Sequence, residues 1–492
     1  MGIDSKSWLK LISGSDIWGR EDQLTDEFCA RTGYAFACML ARRMETAPDR
    51  LTIAVGRDDR ESSRRIQAAL IRGVTAADSD VLDGGACAAP ALFMTVARRA
   101  ESAGAAADGA MMVTVDSGRP AIRFLTVQGG LREADVEQLV RMAAGTEVPE
   151  RLVTRIRPMD GYRDFLRGRA ARLLEDDALK PLLGLVAIVD TGTAGGAFLA
   201  DLLEDLGADL DRLASGDAQK MAQAILNYGA DMGVRLDPDC SRAYVFDHRG
   251  RDLHGNRMIA LLSAMLLEKQ PGATIVTDSV TSTGLSAFIA EWGGVHYRFK
   301  RGYRNVIDEA IRLNDEGIDC PLAIETTGHA AFRENGFLDD GIYLALRLGC
   351  EALDRKREGQ TLFSLIDDLE EPVETFRTSL GLLDRDDPAA ACQEAAEIIL
   401  SYTLENPDWQ PAPDSREGVR ITYNLDGGVN NAWLQLRASM HSPTLQVEIG
   451  SNVPGGVRRI LERLHGLLDD VESLDVAPVL QALDRMRTDG TV

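Results

Sequence analysis

The chain is predicted to be α/β, built of three or four domains with a smaller α+β domain at the end. Three observations predict this. An apolar run of strand length, a short polar loop and a helix-period segment follow one another three times. Strand, loop and helix in alternation give a largely parallel sheet, with ligands expected at the carboxyl ends of its strands. The C-terminal part switches to strands of alternating polarity, and 492 residues are too many for one core at about 150 residues per domain.

In chain order, residues 51–55 form the first such strand, GRDDRESS its loop, and 64–74 its helix, with Ser62 or Ser63 as the expected cap. Residues 185–189 repeat the pattern with the loop DTGTAGG and the helix 197–206. There Gly192, Gly195 and Gly196 either cradle a phosphate or simply make a tight turn. Residues 274–277, the loop DSVTSTG and the helix 285–292 repeat it again. An acidic helical stretch at 388–402 and a proline-rich link at 405–413 lead to strands at 419–423, 433–438 and 444–449. A helix opened by Gly455 and Gly456 follows.

A formal charge of -23 and a pI near 4.8 argue against nucleic acid or an anionic membrane as partner. No apolar run reaches the roughly 18 residues of a spanning helix, and MGIDSKS has neither a signal-peptide core nor a myristoylation pattern. A cytoplasmic protein is expected. The seven cysteines are scattered without a C-x-x-C, which argues against a disulfide framework or a zinc site; Cys240 alone lies in a loop of interest.

That loop belongs to residues 233–249, GVRLDPDCSRAYVFDHR. Asp237 and Asp239, two apart beside a proline, either turn both carboxylates toward a divalent cation or form a solvated acidic turn. Arg242 sets a fixed cation beside them, as an anionic substrate would require. In RASMHSP, Arg437, Ser439, His441 and Ser442 crowd a short donor-rich loop suited to a phosphate monoester, or make an ordinary polar hairpin. In IETTGHAAFREN, Glu325, Thr327 and His329 alternate after a strand, a pattern that presents hydroxyl-binding groups on one side. Lys300, Arg301 and Arg304, with His296 nearby, form the densest basic cluster of an acidic chain, suited to steering a phosphate or to a solvated turn.

The ordered motifs GSDIWG, GRDDR, VDTGTAGG, DPDCSR, TDSVTS, KRGYRNV, ETTGH, LDDG and RASMHSP resemble the α-D-phosphohexomutase family, the phosphoglucomutases and phosphomannomutases. The resemblance implies four domains around a central cleft: 1–158 with the catalytic loop, 159–258 with the metal loop, 259–372 with the sugar loop, and 373–492 for phosphate binding. It implies intramolecular phosphoryl transfer on a hexose phosphate through a phosphoserine held by Mg²⁺. Metal binding falls to Asp237 and Asp239, active-site support to Arg242, sugar hydroxyls to Glu325 and Thr327, and the substrate's fixed phosphate to Arg437 and Ser439. The departures sit in the transfer machinery. The family's T-A-S-H-x-P loop is shortened, with Asp116 at the serine's place and Ser117 at the histidine's. Ser241 replaces the third metal aspartate, and Trp18 an arginine. A weakened or absent Mg²⁺ site is expected, because a hydroxyl supplies only a dipole where a carboxylate supplies a charge. Three functional expectations follow: a divergent mutase with Asp116 or Ser117 as phosphoryl carrier, a non-catalytic phosphosugar-binding partner of an active enzyme, or a sugar bisphosphate synthase.

Overall fold

The computed structural model describes residues 5–96, 106–116, 118–145, 154–176, 179–214, 217–383, 388–439, 442–469, 471 and 473–489. The chain divides into two compact units, Met1–Leu253 with Gly328–Ser364, and His254–Thr327 with Leu365–Val492.

In the first unit, the strands Thr52–Arg57 and Asp80–Ala86 run parallel to each other, and Gly109–Asp116 runs parallel to Thr52–Arg57. Arg119–Thr126 then returns antiparallel beside Gly109–Asp116, and Asp16–Trp18 adds antiparallel to it. The sheet is therefore mixed where alternation alone predicts parallel strands: the turn between Asp116 and Arg119 is too short for a crossover, so the chain can only fold back. The helices Asp26–Arg43 and Glu61–Ala76 cover this sheet with Phe28, Phe36 and Leu40 and with Ile66, Leu70 and Val74, spaced to fall on one face. Thr25 caps the first helix through the Phe28 amide. The second begins one turn earlier than expected: Arg60 is its N-cap, so Ser62 and Ser63 lie inside it. Buried Asp58 accepts from the Arg60 amide and takes over the start of the helix.

The second sheet of this unit joins Asp209–Leu213, Val186–Asp190 and Met232–Leu236 in parallel, with Ala243–Asp247 antiparallel at its edge. Met232–Leu236 and Ala243–Asp247 form a hairpin, paired from Met232↔Asp247 to Leu236↔Ala243, whose loop is Asp237 to Arg242.

In the second unit Val295–Arg298, Thr274–Thr277 and Leu322–Ile324 run parallel. A separate antiparallel sheet, in the order Trp409–Pro411, Val419–Tyr423, Ala432–Ala438, Thr444–Ser451, Glu374–Leu382, Leu474–Asp475, forms the C-terminal layer. Its inner face packs Ile421, Leu434, Val447 and Ile449 against Val457, Ile460, Leu461 and Leu464 of the helix Gly456–Leu468. Part of the proline-rich link is itself an edge strand, Trp409–Pro411, a position that tolerates the missing amide of Pro411.

The two covering helices of the first sheet cross at glycines. A Cβ added to Gly33 would lie 2.3 Å from the Leu70 carbonyl oxygen, and one added to Gly73 1.8 Å from that of Ala30. Backbone cannot yield as a side chain can, so Gly73→Ala should force the helices apart and destabilise this unit by about 1–3 kcal/mol. An unchanged urea midpoint for this variant would contradict the crossing.

Candidate functional site

The acidic loop is buried. Asp237 and Asp239 are 6% and 1% exposed, although each costs several kcal/mol to take from water unless paired. Each has an arginine beside it, although Asp239 Oδ2, at ion-pair distance from Arg123, makes no hydrogen bond among the described residues. Asp237 accepts from the Arg242 amide at 3.0 Å and from Arg242 Nε at 2.9 Å. Asp239 accepts from the Ser241 amide at 3.2 Å, and its other oxygen lies 2.9 Å from Arg123 Nη1. The Ser241 hydroxyl lies 3.1 Å from Asp237 and 2.9 Å from Asp239, and it accepts from Arg123 at 3.1 Å. With one proton to donate it serves one aspartate at a time. Burial, with the charge of Asp239, pushes Asp237 up to about 7 against Arg242. Burial also acts to raise Asp239, but Arg123 and the bonds from Ser241 outweigh it and hold that carboxyl below its usual range. The pair thus shares one proton near neutrality.

Around this loop stand Asp16, 3.5 Å from Arg123 Nε, and Asp339, whose carboxylate meets His329 Nδ1 at 2.7 Å. Burial pushes Asp339 up to about 8. His329 belongs to this cluster, its backbone bridged to that of Arg242. Gly328 before it takes a left-handed φ of +95°. Cys240 is buried at φ +63° with its thiol pushed well above the ordinary range by burial and both aspartates, so it is not a nucleophile.

The glycine loop is a tight turn and not a phosphate cradle. Gly192 N donates to Asp190, Ala194 N to Asp59 and Gly196 N to the capping Thr193. A Cβ at Gly195 would lie 2.0 Å from Cys240 Sγ, which accounts for that glycine. Asp116 ends its strand opposite Arg119, but its side chain, like Ser117 and His441, lies outside the described residues.

The second unit gathers a different cluster. Glu325 follows the strand Leu322–Ile324 and accepts from the Gly302 amide and from Thr327 Oγ1, the latter at 3.0 Å. Burial and the charge of Asp278 push it up to about 7. Asp278, at the end of Thr274–Thr277, accepts from Thr326 at 2.6 Å. Arg301 Nη1 lies 3.3 Å from Glu448 Oε1, Arg437 Nη2 3.4 Å from the same oxygen, and Arg377 Nη2 2.7 Å from Oε2. Three guanidiniums thus converge on one buried carboxylate. Among the described residues the buried Nε of Arg437 has no hydrogen-bond partner. Ser439 continues that strand, its hydroxyl accepting from Ser442.

The basic cluster expected around Arg301 is smaller than its sequence suggests. His296 is neutral, held well below its ordinary value by burial between Thr277 and Ser286 and by Arg298 and Arg420. Arg304 pairs with Asp308 one turn along its helix. Arg123, Arg377 and Glu448 escaped sequence reasoning: they sit in ordinary strands, and only pairing brings them to the clusters. Asp16, Asp278 and Asp339 lay inside the quoted motifs GSDIWG, TDSVTS and LDDG and were legible there.

A hard divalent cation fits the acidic loop poorly. It needs about six oxygens, whereas the four carboxylate oxygens of Asp237 and Asp239 already face protein donors or guanidiniums.

Comparison with known proteins places the chain in one family. A model described as phosphoglucomutase/phosphomannomutase, alpha/beta/alpha domain I, matches residues 12–141, and the corresponding domain III model matches 254–373. The phosphohexose mutases of Xanthomonas campestris pv. campestris are 25% identical over 470 residues, covering 90% of this chain and 95% of theirs. A phosphoglucomutase/phosphomannomutase family structure from Burkholderia thailandensis has a TM-score of 0.75 at 20% identity, covering 94% of this chain and 97% of its own. The Aspergillus fumigatus N-acetylphosphoglucosamine mutase, solved with GlcNAc-6P and magnesium, has a TM-score of 0.54 at 13% identity, covering 88% of this chain and 80% of its own. Matched by two models of one family that together span half its length, the chain belongs to the phosphoglucomutase/phosphomannomutase family.

Proposed function

We propose that the protein binds hexose phosphates, with Arg437 and Ser439 taking the phosphate and Glu325 and Thr327 the sugar hydroxyls, and that family-type phosphoryl transfer in it is strongly impaired. The observation that carries the binding half is the buried Arg437 guanidinium, whose Nε is without a partner and whose contact to Glu448 is long. A phosphate oxygen is the kind of acceptor that would satisfy that nitrogen. Arg301 adds charge beside it, and a Glu325 that is half-protonated near neutrality both donates to and accepts from a hydroxyl. The Aspergillus relative with GlcNAc-6P supports a phosphosugar as the ligand class.

The transfer half rests on Asp116 and Ser117 standing where the family has a serine and a histidine, and on Ser241 in the place of an aspartate. We place the transfer loop within 1–158, the acidic loop within 159–258, the sugar loop within 259–372 and the phosphate loop within 373–492. A phosphosugar-binding partner of an active mutase is favoured over a sugar bisphosphate synthase by the two arginines that already stand against the aspartates of the acidic loop.

Three outcomes test this. Arg437→Ala should weaken glucose 1-phosphate or glucose 6-phosphate binding by about 1.5–3 kcal/mol, the worth of a hydrogen bond to a charged group. The fold should survive, since Arg301 and Arg377 still pair Glu448. Calorimetry in which wild type and variant bind alike, or neither binds at millimolar ligand, removes the assignment.

Turnover of glucose 1-phosphate should run at least about a hundredfold below an ordinary ten per second, from the lost histidine alone. Asp116→Asn and Ser117→Ala then identify the carrier, since only one abolishes phosphoenzyme labelling by glucose 1,6-bisphosphate. Ordinary turnover in preparations free of host mutase refutes the impairment.

Glu325 has a folded-state pKa near 7 against 4.5 unfolded. Its contribution to stability is fully present below pH 4.5 and is lost as pH rises through 7. Glu325→Gln does not titrate, so between pH 5 and 8 the variant should gain on wild type by on the order of 2–3 kcal/mol. A difference in urea midpoint that is flat with pH shows that the carboxyl is ionised throughout.

A further inference from the structure

Arg123 stands on the strand Arg119–Thr126, held in register on both sides, opposite Asp16 on one neighbour and Met112 on the other. Its side chain is 6% exposed, so the guanidinium is a fixed interior cation and not a mobile surface group. It touches three members of the acidic cluster: Asp239 at 2.9 Å, Ser241 at 3.1 Å and Asp16 at 3.5 Å. Arg242 occupies Asp237 from the other side through its amide and Nε.

We infer that Arg123 is the built-in cation of the acidic loop and closes it to a hard divalent ion, supplying from within the fold the positive charge that such an ion would bring. Three features carry this. Seating an ion on Asp239 means displacing a buried guanidinium that has no solvent to retreat into. The hydroxyl of Ser241 accepts from Arg123 and donates to an aspartate, so its useful lone pair already faces a cation. And among the described side chains that pair directly, Asp16, Asp237 and Asp239 stand against Arg123 and Arg242 while Asp339 is taken up by His329, so the five are within one charge of balance before any ion enters and a doubly charged ion overshoots them. The inference concerns the charge of the loop and stands or falls independently of sugar-phosphate binding.

The test is a Mn²⁺ titration of the full-length chain, read by the electron paramagnetic resonance signal of the free ion. An acidic protein binds some Mn²⁺ weakly at its surface, so wild type is compared with Asp239→Asn. The expected result is the same weak, non-saturating uptake by both. A stoichiometric site in wild type, filled below millimolar Mn²⁺ and lost in Asp239→Asn, overturns the inference. In Arg123→Met the aspartates are released, and a site tighter than any in wild type by roughly tenfold or more should appear. A folded Arg123→Met that binds no more Mn²⁺ than wild type also overturns it. Should Arg123→Met fold only when Mn²⁺ is present, the ion has taken the place of the guanidinium, which is the expected exchange. Should it fold under neither condition, the wild-type titration against Asp239→Asn decides the matter.

Discussion

Two aspartates two residues apart are buried together in the hairpin loop between Met232–Leu236 and Ala243–Asp247, and the arrangement of the first unit follows from what that burial demands. Each carboxylate removed from water costs several kcal/mol and is tolerable only with opposite charge and hydrogen bonds close at hand. Arg242 comes from the hairpin itself, but Arg123 comes from the middle of another sheet. The loop therefore ties the two sheets of this unit together. Gly341, where a Cβ would lie 2.5 Å from the Arg242 carbonyl carbon, and the Gly341 amide bonded to the Cys240 carbonyl press the backbone onto the loop from behind. Within the loop Cys240 takes the left-handed φ of +63°, a conformation that a residue with a side chain rarely adopts.

The second unit solves the same problem with a remainder. Its parallel strands also end in acids, Asp278 and Glu325, and Glu448 brings a third into the antiparallel sheet. Three guanidiniums converge on Glu448, and among the described residues Arg437 Nε has no hydrogen-bond partner, just as Asp239 Oδ2 has none in the first unit.

The family's chemistry needs a nucleophile in line, a cation to neutralise charge and a grip on the sugar phosphate. In the proposed function the grip keeps its residues while the nucleophile and the cation site change together. Ser241 in an aspartate's place lowers the negative charge of the loop, and Arg123 satisfies what remains.

The sequence by itself determined the succession of strand, loop and helix, because hydrophobic period is a local property: Thr274–Thr277 and Val419–Tyr423 fall where the apolar runs place them. It also determined the acidic loop, the sugar loop and the phosphate loop, since residues that are neighbours in the chain share a turn. Tertiary structure decided what meets those loops. Arg123 and Arg377 carry no motif; strand register sets Arg377 opposite Glu448 and Arg123 opposite Asp16, and the approach of the two sheets of the first unit brings Arg123 to Asp239. His329 reads as a partner of Glu325 at alternating spacing, yet it follows a glycine at positive φ and bonds Asp339. Spacing predicts which side chains share a face only while the backbone stays extended, and electrostatic partners are chosen by whichever strands pair.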